Sequence, residues 1–416
     1  MAPGQRLCAP LGWSAAATLV TGLLGWLTMV VVARASGPQE FASFAVLWAL
    51  FFGIGGAFAG VQQEVTRSTA VAAQGARRTR LLPVVLALTA PSAVVATVVV
   101  ATGAVRVGGG EVPGALAFAA GLVSLGVLTF INGVLAARGH WFDLALVLAG
   151  DALVRTVAVL LAVAADAPAA FPWAIAVGAM SWAPLLLVRP EVRATLGALG
   201  SDPVAGLVRR ASTLMGSTVC AALLVAGFPL LLSIVRGQDD LGGRTGVLLA
   251  TLVLVRSPLL VVVYGFRPVI MRAFLDEPGS LVRATGRWWL VLGGLGAVAT
   301  AGAAAAGPWV VRTVFGDRYS TSASELAALT SGSVLIALLV VSGLALVAAD
   351  RHTASTLGWL ASLLVSVALL LAVPSVRPAL LLAVLLAPVA GLVVHAAALR
   401  TARVGPVLTA TSSWVP

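Results

Sequence analysis

The sequence contains no lysine and few charged residues of any kind. Charged residues make up 10% of its 416 positions, whereas 60% are hydrophobic and the mean hydropathy is +1.05. A soluble domain usually carries about 25% charged residues, so a soluble fold is excluded. Many apolar runs reach the ~20 residues with which a helix spans a bilayer. The sequence therefore predicts an all-α integral membrane protein, because these runs lack the alternation of the ~10-residue strands of a membrane β-barrel.

Cysteine and histidine are also scarce. Two cysteines, Cys8 and Cys220, cannot form a disulfide framework, and three scattered histidines with two cysteines make no metal site. We therefore expect no metal and no cofactor. The net charge of +11 comes from 26 arginines spread between apolar runs. This pattern indicates membrane topology rather than binding to nucleic acid.

Apolar runs between breaks rich in Arg, Gly and Pro predict about twelve transmembrane helices. In the first half they cover residues 11–33, 41–61, 81–103, 114–137, 142–164 and 171–188. In the second half they cover residues 212–235, 245–266, 288–311, 323–348, 353–373 and 379–399. The residues from 401 to 416 form a tail after the last helix.

The arginines predict the orientation, because cytoplasmic loops of membrane proteins are enriched in Lys and Arg. With the N-terminus inside, 17 arginines fall on cytoplasmic segments and seven on outer loops, and two lie within helices. The outer seven are Arg34, Arg106, Arg236, Arg244, Arg312, Arg318 and Arg377, and the two within helices are Arg155 and Arg256. We expect a multi-pass protein of the cytoplasmic membrane with both termini, and the tail, in the cytoplasm.

The two halves of the chain resemble each other. "AARGH" at 136–140 follows the fourth predicted helix and "AADRH" at 348–352 follows the tenth, at a spacing of 348 − 136 = 212. The next helices close alike, with "VAVLLAV" at 157–163 and "VALLLAV" at 367–373. Six helices per half give both halves the same orientation, as in parallel repeats of transporters. We predict a six-helix lobe in residues 1–200 and a second in residues 201–400.

Several passages resemble the polysaccharide-transporter, O-antigen flippase-like branch of the multidrug/oligosaccharidyl-lipid/polysaccharide (MOP) exporter superfamily. The turn "ARASGPQEF" (33–41) and the "TR" at 66–67 are similar to the ends of that branch's first two helices. The segments 132–163 and 314–352 are similar to its fourth-to-fifth and ninth-to-tenth helix passages. The resemblance implies two six-helix lobes in a V that open alternately, and the export of polyprenyl-pyrophosphate-linked glycans, peptidoglycan precursors or drugs.

Charged residues within the predicted helices are candidate functional residues, because a charge near the bilayer centre costs roughly 2.5–3.5 kcal/mol on insertion scales. Asp151 and Arg155 are four residues apart, so they share one helix face. They either neutralise each other or line a cavity, with Asp151 as a proton or cation site. Arg256 has no acid within a turn. It either pairs with Asp151 of another helix, extends to the membrane surface, or binds the pyrophosphate of a lipid-linked sugar.

Other candidates are polar residues and prolines within the helices. Asn132 and Arg34 are expected to line the substrate path, and Glu325 the path or its outer mouth as a second ion-coupling candidate. Pro229 and Pro258 are candidate hinges, because proline kinks let membrane helices bend. His395, near the end of the last helix, is expected at the membrane interface.

These observations favour a flippase, not an enzyme, for a polyprenyl-linked oligosaccharide or polysaccharide repeat unit. Its partners would be that substrate, membrane lipids and enzymes such as a glycan polymerase or glycosyltransferase. The nearest alternative is a drug or cation antiporter of the same superfamily, although only one acid, Asp151, is deeply placed. A membrane glycosyltransferase or polymerase is disfavoured because no outer loop is extended. A scaffold without transport activity is disfavoured because it would give no purpose to a buried arginine and a repeat of lobes.

Overall fold

The computed structural model of the protein describes residues 5–73, 75, 79–101, 111–237, 240–275 and 281–401. These residues are almost entirely helical. The helices of the first half are α1 (Gln5–Ala35), α2 (Pro38–Ala72), α3 (Leu81–Ala101), α4 (Glu111–Arg138), α5 (Trp141–Ala164), α6 (Phe171–Ala179), α7 (Trp182–Val188) and α8 (Pro190–Arg193). Those of the second half are α9 (Val204–Val225), α10 (Phe228–Arg236), α11 (Gly243–Gly265), α12 (Arg267–Leu275), α13 (Leu281–Phe315), α14 (Ala323–Ala348), α15 (His352–Ala372) and α16 (Val376–Thr401).

The number of membrane helices agrees with the sequence. Within the described ranges, eleven helical segments are long and apolar enough to span a membrane, and twelve if α9 and α10 form one bent span. The prediction of an all-α membrane fold with about twelve transmembrane helices is confirmed. Several expectations differ in detail. The second helix, expected over 41–61, runs as α2 from 38 to 72, and the sixth, expected over 171–188, is divided into α6 and α7. The seventh helix is broken, with an 85° bend between α9 and α10, and the ninth, expected over 288–311, runs as α13 from 281 to 315.

The repeated "AARGH" and "AADRH" segments form tight turns between helices. Gly139, between α4 and α5, has φ of 73°, and Asp350, between α14 and α15, has φ of 59°. Both residues are thus in the left-handed region, which glycine adopts without steric cost and aspartate tolerates. The two halves therefore reverse the chain in similar ways at corresponding points. The boundary at residue 200, which stays a prediction, falls just before the short link that leads into α9.

The loops gather at two opposite ends of the helices. At one end, strands β1 (Thr79–Arg80) and β2 (Leu199–Gly200) pair antiparallel, with Thr79 opposite Gly200. We call this the Glu64 end, after a buried carboxylate of α2 that lies there. At the other, the Arg34 end, α1 ends and α2 and α11 begin. The sequence predicts that the Glu64 end is cytoplasmic. Arg77, Arg78, Arg106 and residues 402–416, which entered that prediction, lie outside the described residues.

The two halves meet along α1 and α2 of the first and α9, α10 and α11 of the second. Small residues permit the contact. A Cβ at Gly60 of α2 would lie 2.4 Å from the backbone nitrogen of Met215 in α9, and one at Gly246 of α11 would lie 1.7 Å from the carbonyl oxygen of Pro38. Glycine is therefore required at both positions for the helix backbones to come so close.

Candidate functional site

A cavity of about 410 Å³ lies where the two halves meet. It is enclosed by α1 and α2, by Leu148 of α5, by the junction of α9 and α10, and by α11. Most of the lining is apolar. The polar side chains in it include Thr18, Thr21, Trp26, Arg256, Ser257 and Tyr264. Of the sequence candidates, the structure places Arg256 and Pro229 in this lining.

The register between α1 and α11 fixes which residues share a level in the cavity. A Cβ at Gly22 would lie 2.2 Å from the Val261 side chain, and Gly246 touches Pro38, just after α1. Residue numbers therefore rise along α1 as they fall along α11, so the two helices are antiparallel. Gly22 lies opposite Val261, so Trp26, four residues further along α1, lies at the level of Ser257, four residues earlier in α11. Ser257 follows Arg256 in the sequence.

Arg256 is a buried cation without an ionic partner among the described residues. Its side chain is only 5% exposed, and its Nη1 donates to the carbonyl oxygen of Leu224 at 2.9 Å. Its Nε–H has no hydrogen-bond partner in the described part of the chain. The guanidinium lies 5.9 Å from the centre of the Phe228 ring. The expected alternative of pairing with Asp151 is wrong, because Asp151 is bonded to Arg155.

Trp26 supplies a second unused donor in the same cavity. Its indole Nε1 is buried, and no described residue accepts its hydrogen bond. A buried donor without an acceptor costs about 1–3 kcal/mol, so two such donors at one level indicate a place for an acceptor that is not part of the chain. The sequence analysis missed Trp26, because one tryptophan among eleven carries no local signal that its N–H is unpaired.

The bend between α9 and α10 forms one wall of the cavity. Pro229 is near the start of α10, where its missing N–H costs no helical hydrogen bond. Leu224 is in the last turn of α9, and the carbonyls of a helix C-terminus favour a cation. Arg256 therefore caps the broken helix. Pro258, the other hinge candidate, is an exposed residue of α11, which continues through it.

Asp151 and Arg155 form the predicted ion pair, but inside the first half. The pair is buried, and Arg155 Nη1 also donates to the carbonyl oxygen of Ile175 in α6 at 2.7 Å. The guanidinium lies 5.0 and 4.9 Å from the ring centres of Phe51 and Phe52 in α2. Arg155 therefore ties three helices together, and neither member of the pair lines the cavity.

The remaining candidates lie apart from Arg256. Asn132 is buried in α4, and its Oδ1 has no partner among the described residues. Arg34 is exposed at the Arg34 end and donates to the carbonyl oxygens of Thr313 and Val314 at 3.0 and 3.3 Å. Glu325 caps α14 and accepts hydrogen bonds from Arg244 and Arg377. None of the three is a lining residue of the cavity.

Curated relatives match almost the whole chain. An uncharacterized protein of Mycobacterium bovis is 33% identical over 396 residues, covering 92% of this chain and 90% of the relative. An uncharacterized protein of Mycobacterium tuberculosis strain H37Rv is 32% identical over 403 residues, with the same coverage. No protein-family model matches the chain.

Solved structures of MOP transporters share the fold. A multidrug resistance MATE family transporter in an inward-facing conformation superposes with a TM-score of 0.64 at 15% identity, covering 91% of this chain and 95% of the transporter. The lipid II flippase MurJ in an inward closed conformation gives 0.67 at 11% identity, covering 93% and 87%. A MOP superfamily transporter from Pyrococcus furiosus gives 0.61 at 14% identity, covering 94% and 96%. The resemblance to this superfamily is confirmed at the level of the fold.

Proposed function

The chain belongs to the family of these mycobacterial proteins and has the MOP transporter fold, and we propose that it is a flippase for an anionic, lipid-linked glycan. The substrate class is a polyprenyl-pyrophosphate oligosaccharide or polysaccharide repeat unit, moved across the cytoplasmic membrane by alternating access. Both termini would face the cytoplasm, and the enzymes that build or polymerise the glycan would be partners. The observation that carries the proposal is the buried, unpaired Arg256 in the cavity between the halves.

The charge of the cavity favours an anion. Removing an ion from water costs several kcal/mol in a real protein, and no carboxylate of the described residues lines the cavity to offset the charge of Arg256. A phosphate would offset it, because a planar guanidinium binds phosphate oxygens through two parallel hydrogen bonds. The unpaired N–H groups of Arg256 and Trp26 are donors that such an anion can accept.

The apolar lining favours a substrate that is partly hydrocarbon. Lining residues such as Met29, Leu249 and Leu260 share the cavity with Arg256. A lipid phosphate presents an apolar chain next to a compact anion, which matches this distribution. A free sugar nucleotide would instead need several polar groups along the lining to satisfy its hydroxyls.

A multidrug or cation antiporter is the alternative within the same fold. MATE multidrug transporters are among the structures that this chain resembles. An organic cation would meet Arg256 rather than a carboxylate, so the cavity disfavours it. The binding pocket of the Pyrococcus furiosus transporter has a reversed polarity, which suggests a different function for that protein. In this fold, pocket charge is therefore a reasonable guide to the class of substrate.

Reconstitution in liposomes tests the proposal. We expect the protein to flip a fluorescent polyprenyl-pyrophosphate sugar, and Arg256→Ala to weaken its apparent affinity about ten- to a hundredfold, since hydrogen bonds to a charged group contribute about 1.5–3 kcal/mol. Arg256→Lys keeps the charge without the planar fork and should fall between the two. Arg312→Ala is the matched control, because Arg312 is exposed and donates to the carbonyl oxygen of Pro308 in its own helix α13.

Two results would contradict the proposal. Flipping that is equal in Arg256→Ala and Arg312→Ala would remove Arg256 from the substrate site. Export of cationic dyes, with no flipping of the lipid-linked sugar by the wild-type protein, would favour the antiporter instead.

A further inference from the structure

His395 of α16 is buried in the centre of a three-helix bundle formed with α14 and α15. Its side chain is 0% exposed. Its Nδ1 lies 2.8 Å from the Oγ of Ser342 in α14, and its Nε2 lies 3.0 Å from the carbonyl oxygen of Ser355 in α15. The ring therefore points into the bundle, and the expectation that His395 lies near the membrane interface stays a prediction.

Both polar neighbours of the ring have an oxygen that can accept a hydrogen bond from a protonated ring nitrogen. A carbonyl oxygen has no hydrogen, so Nε2 must carry one to bond Ser355. With a neutral ring, the Ser342 hydroxyl donates to Nδ1. When Nδ1 takes up a proton, its N–H donates to Ser342 Oγ, and the hydroxyl hydrogen turns to the carbonyl oxygen of Leu339, 3.0 Å away. The imidazolium thus keeps every hydrogen bond of the neutral ring.

Glycines make the space for the ring. A Cβ at Gly358 of α15 would lie 2.2 Å from two ring atoms of His395, and one at Gly343 of α14 would lie 3.5 Å from Cε1. Even alanine at Gly358 would displace the ring. Both neighbouring helices therefore hold the imidazole between their backbones.

Polar side chains continue from the ring into the membrane. Ser355, Ser362 and Ser366 are all buried in α15, and their spacing of seven and four residues puts them on one helix face. A Cβ at Gly391, one turn from His395 in α16, would lie 2.2 Å from Ser362 Oγ. The hydroxyl groups of Ser362 and Ser366 have no hydrogen-bond partner among the described residues. The ring is therefore the end of a row of hydroxyl groups.

No described carboxylate is bonded to the ring. Charges on its own three helices stand at their ends: Glu325 in the first turn of α14, Arg351 and His352 at the start of α15 beside Asp350, and Arg377 and Arg400 near the two ends of α16. The helices packed against this bundle carry Arg209 and Arg210 in α9, Arg236 in α10, Arg244 and Arg256 in α11, Arg267 in α12, and Arg283, Arg287 and Arg312 in α13. The two acids first considered for ion coupling, Asp151 and Glu325, are already paired with arginines.

We propose that His395 is a proton-binding site through which the second half couples transport to a proton gradient. Proton access would come from the Glu64 end, because Ser355 is three residues, or about 4.5 Å, from the exposed start of α15. Proton binding at this ring does not depend on the proposed substrate; only the coupling rests on the proposed function.

Nuclear magnetic resonance of the full-length protein labelled with ¹⁵N-histidine tests proton binding. The chain has three histidines, so His140→Gln and His352→Gln assign the spectrum. We expect the His395 signal to change from neutral to doubly protonated as the pH is lowered from about 8 to about 4.5. Ser342→Ala, which removes the acceptor for Nδ1–H, should move that change to lower pH. A His395 ring that stays neutral down to about pH 4.5 would overturn the proposal whether or not the protein transports a glycan.

Transport under an imposed pH gradient tests the coupling. We expect the gradient to accelerate flipping by the wild-type protein and by His352→Gln, and this acceleration to be lost in His395→Gln while flipping without a gradient persists. Glutamine offers a donor and an acceptor but cannot take up a proton. Acceleration that survives in His395→Gln, or that is absent from the wild type, would overturn the coupling. Absence of any flipping would refute the proposed function, and the titration alone would then decide the proton site.

Discussion

The two ends of the contact between the halves are closed by different interactions. At the Arg34 end the contact is largely uncharged. The carbonyl of Pro38 lies against Gly246, and the rings of Phe41 and Tyr319 meet edge to face at 6.4 Å. Arg34 adds hydrogen bonds to carbonyl oxygens only. Close backbone contact and apolar packing therefore hold this end together.

At the Glu64 end a charged network adds to the packing of Gly60. Glu64 of α2 accepts hydrogen bonds from Arg67, one turn away at 2.7 Å, and from Arg210 of α9 at 2.9 Å. Asp202, in the link between the halves, pairs with the same two arginines. The carboxylate of Glu64 is only 2% exposed, whereas the arginines are 41% and 33% exposed. Four charges therefore join α2, the link and α9.

The difference indicates which end opens more easily. Water can replace the carboxylate partner of a half-exposed arginine at little cost. Separating close apolar surfaces instead costs about 25 cal/mol for each Å² of apolar area that becomes exposed to water. We therefore expect the Glu64 end to open first. The sequence predicts that this end is cytoplasmic, and a glycan exported as proposed would enter from that side.

The largest effect is expected from a methyl group at the Arg34 end. In Gly246→Ala the new Cβ would lie 1.7 Å from the Pro38 carbonyl oxygen, so α2 and α11 must separate. Overpacking of this kind typically costs 1–3 kcal/mol, which is about a 5- to 150-fold change in an equilibrium constant. Hydrogen–deuterium exchange should accelerate in peptides covering 38–46 and 243–250, but not in 196–207.

Gly243→Ala is the matched control for that substitution. A Cβ at Gly243 meets nothing within 4 Å, and it precedes Gly246 by less than one turn of the same helix. Unchanged exchange in Gly246→Ala, or equal acceleration in both variants, would show that the close contact does not hold this end shut.

The next effect is expected at the charged network. Glu64→Gln leaves Arg67 and Arg210 with Asp202 alone. Breaking a fully buried pair costs 3–5 kcal/mol, but these arginines are partly exposed, so we expect about 1–2 kcal/mol. Exchange should accelerate in the peptide 196–207, where the Ser201 amide donates to Ser68. The peptide 243–250 is the internal control, and acceleration there too would mean general destabilisation rather than opening of one end.

The sequence predicted the features that depend on local spacing. Apolar runs gave the helices, the four-residue spacing gave the Asp151–Arg155 pair, and the absence of a nearby acid marked Arg256. Pro229 lies next to the bend between α9 and α10, and its role as a hinge stays a prediction. Each of these depends on residues within a few turns of one another.

Features that depend on helix register were not predictable. The unpaired N–H of Trp26 meets the cavity only because α1 runs antiparallel to α11, more than 200 residues later. Arg210 reaches Glu64 across 146 positions. His395 is buried because Gly343 and Gly358 of two other helices leave room for its ring. No local pattern carries such contacts, since they follow from how the helices pack.

Acid should weaken the Glu64 end selectively. Burial alone would raise the pKa of the Asp202 carboxyl, but hydrogen bonds from Arg67 and Ser201 and the charge of Arg210 lower that pKa below its ordinary value of 3.8. A lowered pKa stabilises the paired state fully above the ordinary value, and this stabilisation is lost as the pH falls through the lowered one. At the Arg34 end, burial raises the pKa of Tyr319, and that hydroxyl stays protonated throughout.

Exchange measured from neutral pH to below about pH 4, corrected for intrinsic rates, checks this difference. The peptide 196–207 should accelerate on acidification and the peptide 38–46 should not. In Asp202→Asn the acid-dependent part should disappear from 196–207, because the titrating group is gone. Acceleration that persists in Asp202→Asn would assign the acid sensitivity to another group.

The smallest effect is expected from Arg34→Ala. Arg34 is exposed, and its acceptors are the carbonyls of Thr313 and Val314, close to the end of α13 at Phe315. A cation at a helix C-terminus contributes about 0.3–1 kcal/mol when exposed, so exchange in 38–46 should rise no more than about fivefold. A larger rise, approaching that of Gly246→Ala, would mean that charge also closes the Arg34 end, and the contrast between the two ends would fail. A rise within this limit leaves Gly246 and the Phe41–Tyr319 contact as the interactions that an outward opening must break.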